Sequence, residues 1–537
     1  MSDFNDQVLL IGCGADALPA ATPEVMGFKA YNLWRMQRVG MPVPQAFVLG
    51  TGFCTEYYRQ NCKPVRELQE LLSSHMHDLE RASGLGFGSA RKPLLVSVRS
   101  GAPVSMPGML ETVLNIGLCD ATVPGLLRLT GAPRLVWDSY RRLVSSFAEV
   151  VHGRPAAPFE AALAARMQQA GVATPGELDF QDLRALTRDH LELYEAEVGE
   201  PFPQQPREQL ESAVIAVWRS WAGDKAVQYR RINGISDELG TAVAVQRMVY
   251  GNAGGTSGAG VAFSRDPGSG EPSLYLDFLF NAQGEDIVSG RRKASSGERL
   301  GAVLPSLLQD IRRIARLLEE EFRDMQEFEF TVQDGKLYIL QARTGKRTPW
   351  AALRIAVEQA DEGLIEEQTA LDRLKPYDLG KIGRARIIAT DPARKPTRGI
   401  PAGIGVAVGE IALDPARVRE AAGAGKAAIL VRDSVSTEDI AGIEAATGVL
   451  TASGSRTSHA AVVARQLNKP CVVGCSGLTV DLSRRRCSLT GRWLAEGETL
   501  SLDGQSGDVF VGPVTVEIDR PSEYIARVER WRAARSG

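Results

Sequence analysis

The chain has 537 residues, with 62 Lys+Arg against 65 Asp+Glu, so its formal charge is −3 with histidine neutral. At about 150 residues per domain, that length suggests roughly three to four domains. So even a balance of charge argues against a general nucleic-acid-binding face and makes any anion site local. A hydrophobic content of 44% with 24% charged residues is that of a folded globular protein, not a disordered one. No stretch approaches the ~20 apolar residues that cross a bilayer. The N-terminus opens with acids and holds only a short apolar run at 8–11, so no secretory leader and no membrane partner are expected, and the expected location is cytoplasmic. Seven cysteines (Cys13, Cys54, Cys62, Cys119, Cys471, Cys475, Cys487) are scattered without a C-x-x-C pair, which suggests neither a disulfide framework nor a zinc site.

In chain order, helix signals at 29–39 and 53–60 precede a β-rich run at 94–98 that Arg99-Ser100-Gly101 closes. From about 123 to 222 the pattern is helical, with apolar residues at three- and four-residue steps over 159–169 and 182–198. Strand patterns follow at 242–249, 260–263, 274–280, 328–332 and 337–340, with one long amphipathic helix predicted over 304–325. The stretch 376–399 is basic and punctuated by Pro376, Pro392 and Pro396, which reads as a linker and a hinge. A second α/β unit runs over 400–512, with short strands at 428–431, 448–451, 471–473 and 499–502 alternating with helices near Thr437 and Ser458. The tail after Pro513 has a helical pattern, and no internal repeat or low-complexity block is seen.

Three constellations carry chemistry. Of five histidines, His459 alone follows a strand and a small-residue turn and opens a helix, with Thr457 or Ser458 as N-cap. In the first turn the helix dipole keeps imidazole neutral and nucleophilic, and would stabilise a phosphoryl group once attached. The loop at 97–108 joins Arg99 to backbone and hydroxyl donors suited to phosphate, among them Gly101, Ser105 and Gly108. In the hairpin at 327–343, strand alternation puts Glu327 and Glu329 on one face, where two carboxylates can hold Mg²⁺. Gln341 and Arg343 share a face on the returning strand.

Together these motifs resemble the pyruvate phosphate dikinase family, in order and with comparable spacing. The likeness spans Lys29-Ala30-Tyr31-Asn32-Leu33, Gly40-Met41-Pro42-Val43-Pro44, 94–108, 281–286, 324–331, Leu340-Gln341 and 457–465. It implies a multidomain α/β protein. An ATP-grasp nucleotide-binding domain would occupy 1–350, with a helical insert at about 120–225, and a helical segment and hinge 351–399. A swivelling phosphohistidine domain would occupy 400–515 and a tail 516–537. By resemblance, Lys29 and Arg99 correspond to phosphate-contacting cations and Glu327 and Glu329 to the metal and nucleotide carboxylates. Gln341 and Arg343 complete that pocket, and Glu285, Arg141 or Arg142 are further candidates. Thr457 corresponds to a regulatory phosphorylation site in some members, with an N-cap as its alternative role.

The implied chemistry is attack of His459 on the β-phosphoryl of MgATP, release of AMP, and passage of the γ-phosphoryl to phosphate as pyrophosphate. The phosphoryl group on His459 would then pass to pyruvate. The family's long forms continue into a barrel that binds pyruvate or phosphoenolpyruvate, so the acceptor site is expected on a separate subunit, and a homo-oligomer is left open. The sequence departs from the family where Phe28 and Ala30 replace glycines, where Ser455-Arg456 replaces Gly-Met, and where Glu327 replaces Asp. Two other readings stand beside the dikinase: a phosphotransferase to another small acceptor, resembling phenylphosphate synthase, and a non-catalytic nucleotide-binding or regulatory relative.

Overall fold

The computed structural model describes residues 7–14, 21–104, 106, 109–284, 286, 297–389, 396–435, 439–454 and 458–536. The chain forms two compact units, one of Met1–Gly254 with Tyr338–Gln341 and one of Gly255–Leu337 with Ala342–Gly537. Among the described residues no helix is long and apolar enough to cross a membrane.

The first unit is built on strands β1 (Val8–Ile11), β2 (Ala46–Leu49), β3 (Gly86–Phe87), β4 (Pro93–Leu94), β5 (Val96–Gly101), β6 (Thr112–Ile116) and β7 (Ala242–Arg247). Five of them form an antiparallel sheet in the order β1-β2-β7-β5-β6. Strand β2 is apolar on both faces, β5 presents Val96 and Val98 on one face and Ser97 and Arg99 on the other, and helices pack against the sheet. Phe53 and Tyr57 of the helix Thr51–Arg59 and Trp218 of the helix Pro206–Ser220 are fully buried in one core with Phe47, Val96 and Val245. The helical run holds Val123–Thr130, Pro133–His152, Ala157–Ala170, Phe180–Val198, Pro206–Ser220 and Asp224–Asn233. Local signals start these helices: four have proline in the first turn, where no N–H is needed, and Asp179 accepts from the N–H groups of Gln181 and Asp182.

The second unit begins with β8 (Gly258–Phe263), β9 (Tyr275–Phe280) and β10 (Gln326–Gln333); with β11 (Lys336–Thr344), whose middle residues Tyr338–Gln341 group with the first unit, they form a sheet ordered β11-β10-β8-β9. The hairpin turn between β10 and β11 is Asp334-Gly335, both at positive φ (51° and 76°), the conformation a two-residue turn requires. The stretch read as one helix over 304–325 is the helix Pro305–Phe322. Arg323 sits in the left-handed region (φ 58°) and ends it, so Met325 is free to lead into the strand. Glu319 on this helix is buried and accepts from Arg265, whose guanidinium also meets Glu358 on the helix Pro349–Asp361 and Glu362 at its C-cap. Burial opposes the charge on Arg265, but its bonds to Glu362 and Glu319 more than offset this and hold its pKa above the ordinary value.

The stretch read as a linker contains a strand, β12 (Arg384–Ala389), and so does the tail read as helical, which has Thr515–Asp519 before its helix Ser522–Ser536. These two strands pair antiparallel, Arg384 against Asp519 and Arg386 against Glu517, with an ion pair of 3.1 Å at each position. The tail helix shares a core with the helices Pro349–Asp361 and Glu367–Leu374 through Val528, Trp531, Trp350, Leu353 and Leu374. The chain therefore enters and leaves the region between these strands side by side.

That region is an eight-stranded sheet. Its central strands, Val406–Ala412, Ala428–Arg432, Gly448–Thr451 and Cys471–Val473, run parallel. Each parallel connection carries a helix, Pro415–Gly423, Ile440–Ala445 or His459–Gln466, as a crossover demands. Those helices pack Val418, Ile443, Ala460, Ala461 and Ala464 on one face of the sheet, and a three-stranded sheet packs Leu478, Cys487 and Leu494 on the other.

Candidate functional site

Arg99 lies within β5, which runs two residues beyond it to Gly101, instead of at the strand's end as the sequence suggested. Its Nη1 donates to Gln246 Oε1 (3.2 Å) and to the Leu340 carbonyl (3.3 Å), and its Nη2 to Gln341 Oε1 (3.5 Å). Gly101 belongs to the strand and not to the loop. Its N–H is taken by Thr241 Oγ1, so it is not open to a phosphate. The helix that carries Lys29 begins earlier than the apolar period suggested, at Pro23, and is broken at Gly27 (φ 71°, ψ 152°). There the chain lies so close to β5 that a Cβ would fall 1.8 Å from the Gly101 carbonyl oxygen, and the Phe28 N–H donates to the Ala102 carbonyl at 2.8 Å. The glycine this turn needs is thus Gly27, present although Phe28 and Ala30 are not glycines. It pins the helix of half-buried Lys29 to the end of the strand that carries Arg99.

In the second unit, Phe328 and Phe330 point into the core from β10, Phe330 stacked on Phe278 at 5.9 Å, and alternation turns Glu327 and Glu329 to the other face. Arg343 on β11 donates to Glu327 at 2.6 Å. Burial opposes its charge, but the bond to Glu327 and the fields of Glu327 and Glu329 hold its pKa above the ordinary value, so both carboxylates act on one guanidinium. Two residues before β10, Asp324 takes a bidentate pair from Arg347 (2.7 and 2.8 Å). Among the described residues no group of three or more His, Cys, Asp or Glu could hold a metal ion. Two carboxylates suit Mg²⁺, which keeps much of its shell and shares the rest with substrate phosphates. Gln341 and Arg343 are two residues apart on β11 and therefore on one face of it.

His459 is the first residue of its helix, at the carboxyl end of Gly448–Thr451, the place where open parallel sheets bind ligands. Ser458 takes the N-cap position, with extended backbone (φ −62°, ψ 160°), but its side chain makes no cap bond. Its hydroxyl is buried and has no hydrogen-bond partner among the described residues. Ser105, Gly108, Glu285 and Thr457, with Ser455 and Arg456 and the His459 side chain, lie outside the described residues. Arg141 and Arg142 both bond Asp138 on their own helix, at 2.5 and 3.0 Å. Burial opposes the charge of Asp138, but Arg141, Arg142 and Arg134 outweigh it and hold its pKa below the usual range, so the carboxylate stays ionised against both arginines. Gln246 is a partner of Arg99 that motif reading did not reach, and only its position opposite Ser97 across the β5–β7 ladder could have signalled it.

The chain matches the family model for the pyruvate phosphate dikinase AMP/ATP-binding domain over residues 23–298 and 298–364. It matches that for the mobile domain of PEP-utilising enzymes over 424–507. It is 41% identical to pyruvate, phosphate dikinase of Clostridium symbiosum over 515 residues, 95% of this chain and 59% of that protein. It is also 41% identical to the chloroplastic pyruvate, phosphate dikinase 1 of Zea mays, over 91% of this chain and 52% of that one. With the Entamoeba histolytica pyruvate, phosphate dikinase it shares 39% identity, over 95% of this chain and 58% of the relative. The chain thus spans between about half and three fifths of these relatives. The α/β multidomain fold expected from the sequence, with an ATP-grasp-type nucleotide domain and a separate mobile domain, is the fold found. More than half of its residues match one family's nucleotide-binding domain, and its histidine helix falls within the matched mobile domain, so the chain belongs to the pyruvate phosphate dikinase family.

Proposed function

We propose that this chain is an ATP-dependent phosphotransferase that phosphorylates its own His459 from MgATP. Lys29, Arg99 and Arg343 would take the phosphates, and Gln341 would complete the pocket. Glu327 and Glu329 would hold the Mg²⁺ that arrives with the nucleotide, where the ion offsets phosphate charge. An imidazole nitrogen of His459 attacks the β-phosphorus. The new P–N bond replaces the bond from β-phosphorus to the α-bridging oxygen, and AMP leaves. An oxygen of inorganic phosphate then attacks the γ-phosphorus, pyrophosphate departs, and one phosphoryl group stays on His459. Pyruvate is the acceptor, held outside these 537 residues on a separate subunit.

The observation that carries this reading is His459 at the first position of a helix that opens at the carboxyl ends of a parallel sheet. The unsatisfied N–H groups of that helical turn favour a neutral imidazole before transfer and an anionic group after it. The buried Ser458 hydroxyl beside them, which has no partner among the described residues, suits the same anion.

Incubation with ATP labelled at the β-position tests the reading, followed by intact mass and acid-lability measurements with His459→Ala as control. An acid-labile adduct is expected, gaining two phosphoryl groups without inorganic phosphate and one with it, absent from the variant. Absence of any adduct, with or without phosphate, would refute autophosphorylation by this chain.

A further inference from the structure

The segment Gly40-Met41-Pro42-Val43-Pro44 matches the family's pattern, yet nothing in the reaction above uses it. Its carbonyls hold the partners of Arg99. The Pro44 carbonyl accepts from Gln246 Nε2 (3.3 Å), and the Pro42 carbonyl accepts from the Ile339 N–H (2.8 Å), next to the two β11 residues that bond Arg99. Proline suits this task, since it fixes φ and brings an acceptor without a donor.

Gln246 is 2% exposed, and it pairs with Ser97 on one side and Ala46 on the other. Arg99, two residues beyond Ser97, is its diagonal neighbour on the same face of the sheet. Its amide has one arrangement that satisfies both neighbours: the Pro44 carbonyl can only accept and the guanidinium can only donate, so the NH₂ faces Pro44 and the oxygen faces Arg99. Glutamate would have no donor for Pro44, and leucine would satisfy neither. We infer that Gln246, aligned by the Pro44 carbonyl, is a positioning residue that sets the Arg99 guanidinium for the nucleotide phosphates. The inference rests on the phosphate-binding role proposed for Arg99.

The test is equilibrium binding of the magnesium complex of β,γ-imido-ATP, which requires no turnover, together with the half-saturating MgATP concentration and the maximal rate of AMP release in a single turnover. It uses Gln246→Leu, Gln246→Glu, Arg99→Ala and the double variant Gln246→Leu/Arg99→Ala. Gln246→Leu is expected to weaken nucleotide binding about tenfold or more, the scale of a hydrogen bond to a charged group. The loss should appear in the half-saturating MgATP concentration and not in the maximal single-turnover rate, and Gln246→Leu should add nothing once Arg99 is alanine. Gln246→Glu retains the size and the acceptor, so it gives a second reading if the leucine variant fails to fold. It too should weaken binding, because its carboxylate competes with phosphate for Arg99. Full additivity of the Gln246→Leu and Arg99→Ala losses in the double variant would show a structural role for Gln246 and overturn the inference, as would wild-type binding by a folded Gln246 variant while Arg99→Ala binds poorly. Wild-type binding by Arg99→Ala would instead overturn the role of Arg99 itself, an outcome read from that single variant alone.

Discussion

Replacing Gly27 by alanine would test how the lysine helix is held against the nucleotide-domain sheet. Gly27 has φ 71° and ψ 152°, a region that is essentially glycine's alone and costs other residues about 1–3 kcal/mol. The added Cβ would lie 1.8 Å from the Gly101 carbonyl oxygen and 2.5 Å from its carbon, so it meets backbone and not a side chain that can swing away. Gly101 ends a strand paired to both neighbours in the sheet, so the helix start must yield, by about 1.6 Å to reach ordinary contact at 3.4 Å. A retreat on that scale also breaks the bond from Phe28 to Ala102, worth about 1 kcal/mol. Together these come to about 3 kcal/mol, and the motion carries Lys29 away from the end of β5. Urea unfolding followed by tryptophan fluorescence, with binding of β,γ-imido-ATP measured alongside, should show a lower midpoint for the first transition and weaker binding. An alanine variant with the wild-type midpoint and wild-type affinity would refute the close approach and the placement of Lys29 that follows from it.

Burial holds the pKa of His190 at about 4, against 6.5 for a free histidine, while its Nδ1 bonds the Arg141 carbonyl. Since the unfolded chain takes up that proton first, the contribution of neutral His190 is complete above about pH 6.5 and is lost as pH falls toward 4, some ~3 kcal/mol in all. Urea midpoints at pH 7 and pH 4.5 should therefore converge in His190→Leu relative to wild type, and an unchanged gap would contradict the argument. Arg265→Met leaves buried Glu319 without its charged partner and should destabilise the second unit by about 3–5 kcal/mol, with partial recovery on adding Glu319→Gln. A thermal melt that shows no loss in the single variant, or no recovery in the double, would count against this. Glu327→Gln keeps an acceptor for Arg343 but removes a charge, and should slow MgATP-dependent AMP release about a hundredfold. Wild-type rates at ordinary Mg²⁺ would exclude Glu327 from the nucleotide site.

Much of this was legible because it is local. The helix Phe180–Val198 follows from the apolar period over 182–198, and the β10–β11 hairpin from Asp334-Gly335 between two alternating runs. The helix that begins at His459 follows from a strand, a small-residue turn and the hydroxyl residues Thr457 and Ser458 before it. Other features were not legible because their cause is distant in sequence. The tail strand Thr515–Asp519 pairs with 384–389, more than a hundred residues away, and nothing in its own pattern announces that partner. The end of the helix at Phe322 depends on Arg323 turning left-handed, which residue type does not signal, since arginine rarely does so.

The site divides in the same way. Residue types and spacing by themselves determined the carboxylate pair on β10, the arginine on β5 and the histidine at a helix start, because each depends on a few consecutive residues with a fixed period of 2.0 or 3.6. Only the tertiary structure decided what those residues touch. Arg99 and Gln246 meet because the β5–β7 register makes them diagonal neighbours, and Lys29 comes to the end of β5 because Gly27 lets two backbones lie closer than any side chain allows. Register and close approach arise when separate segments pack against one another, and no single segment carries that information.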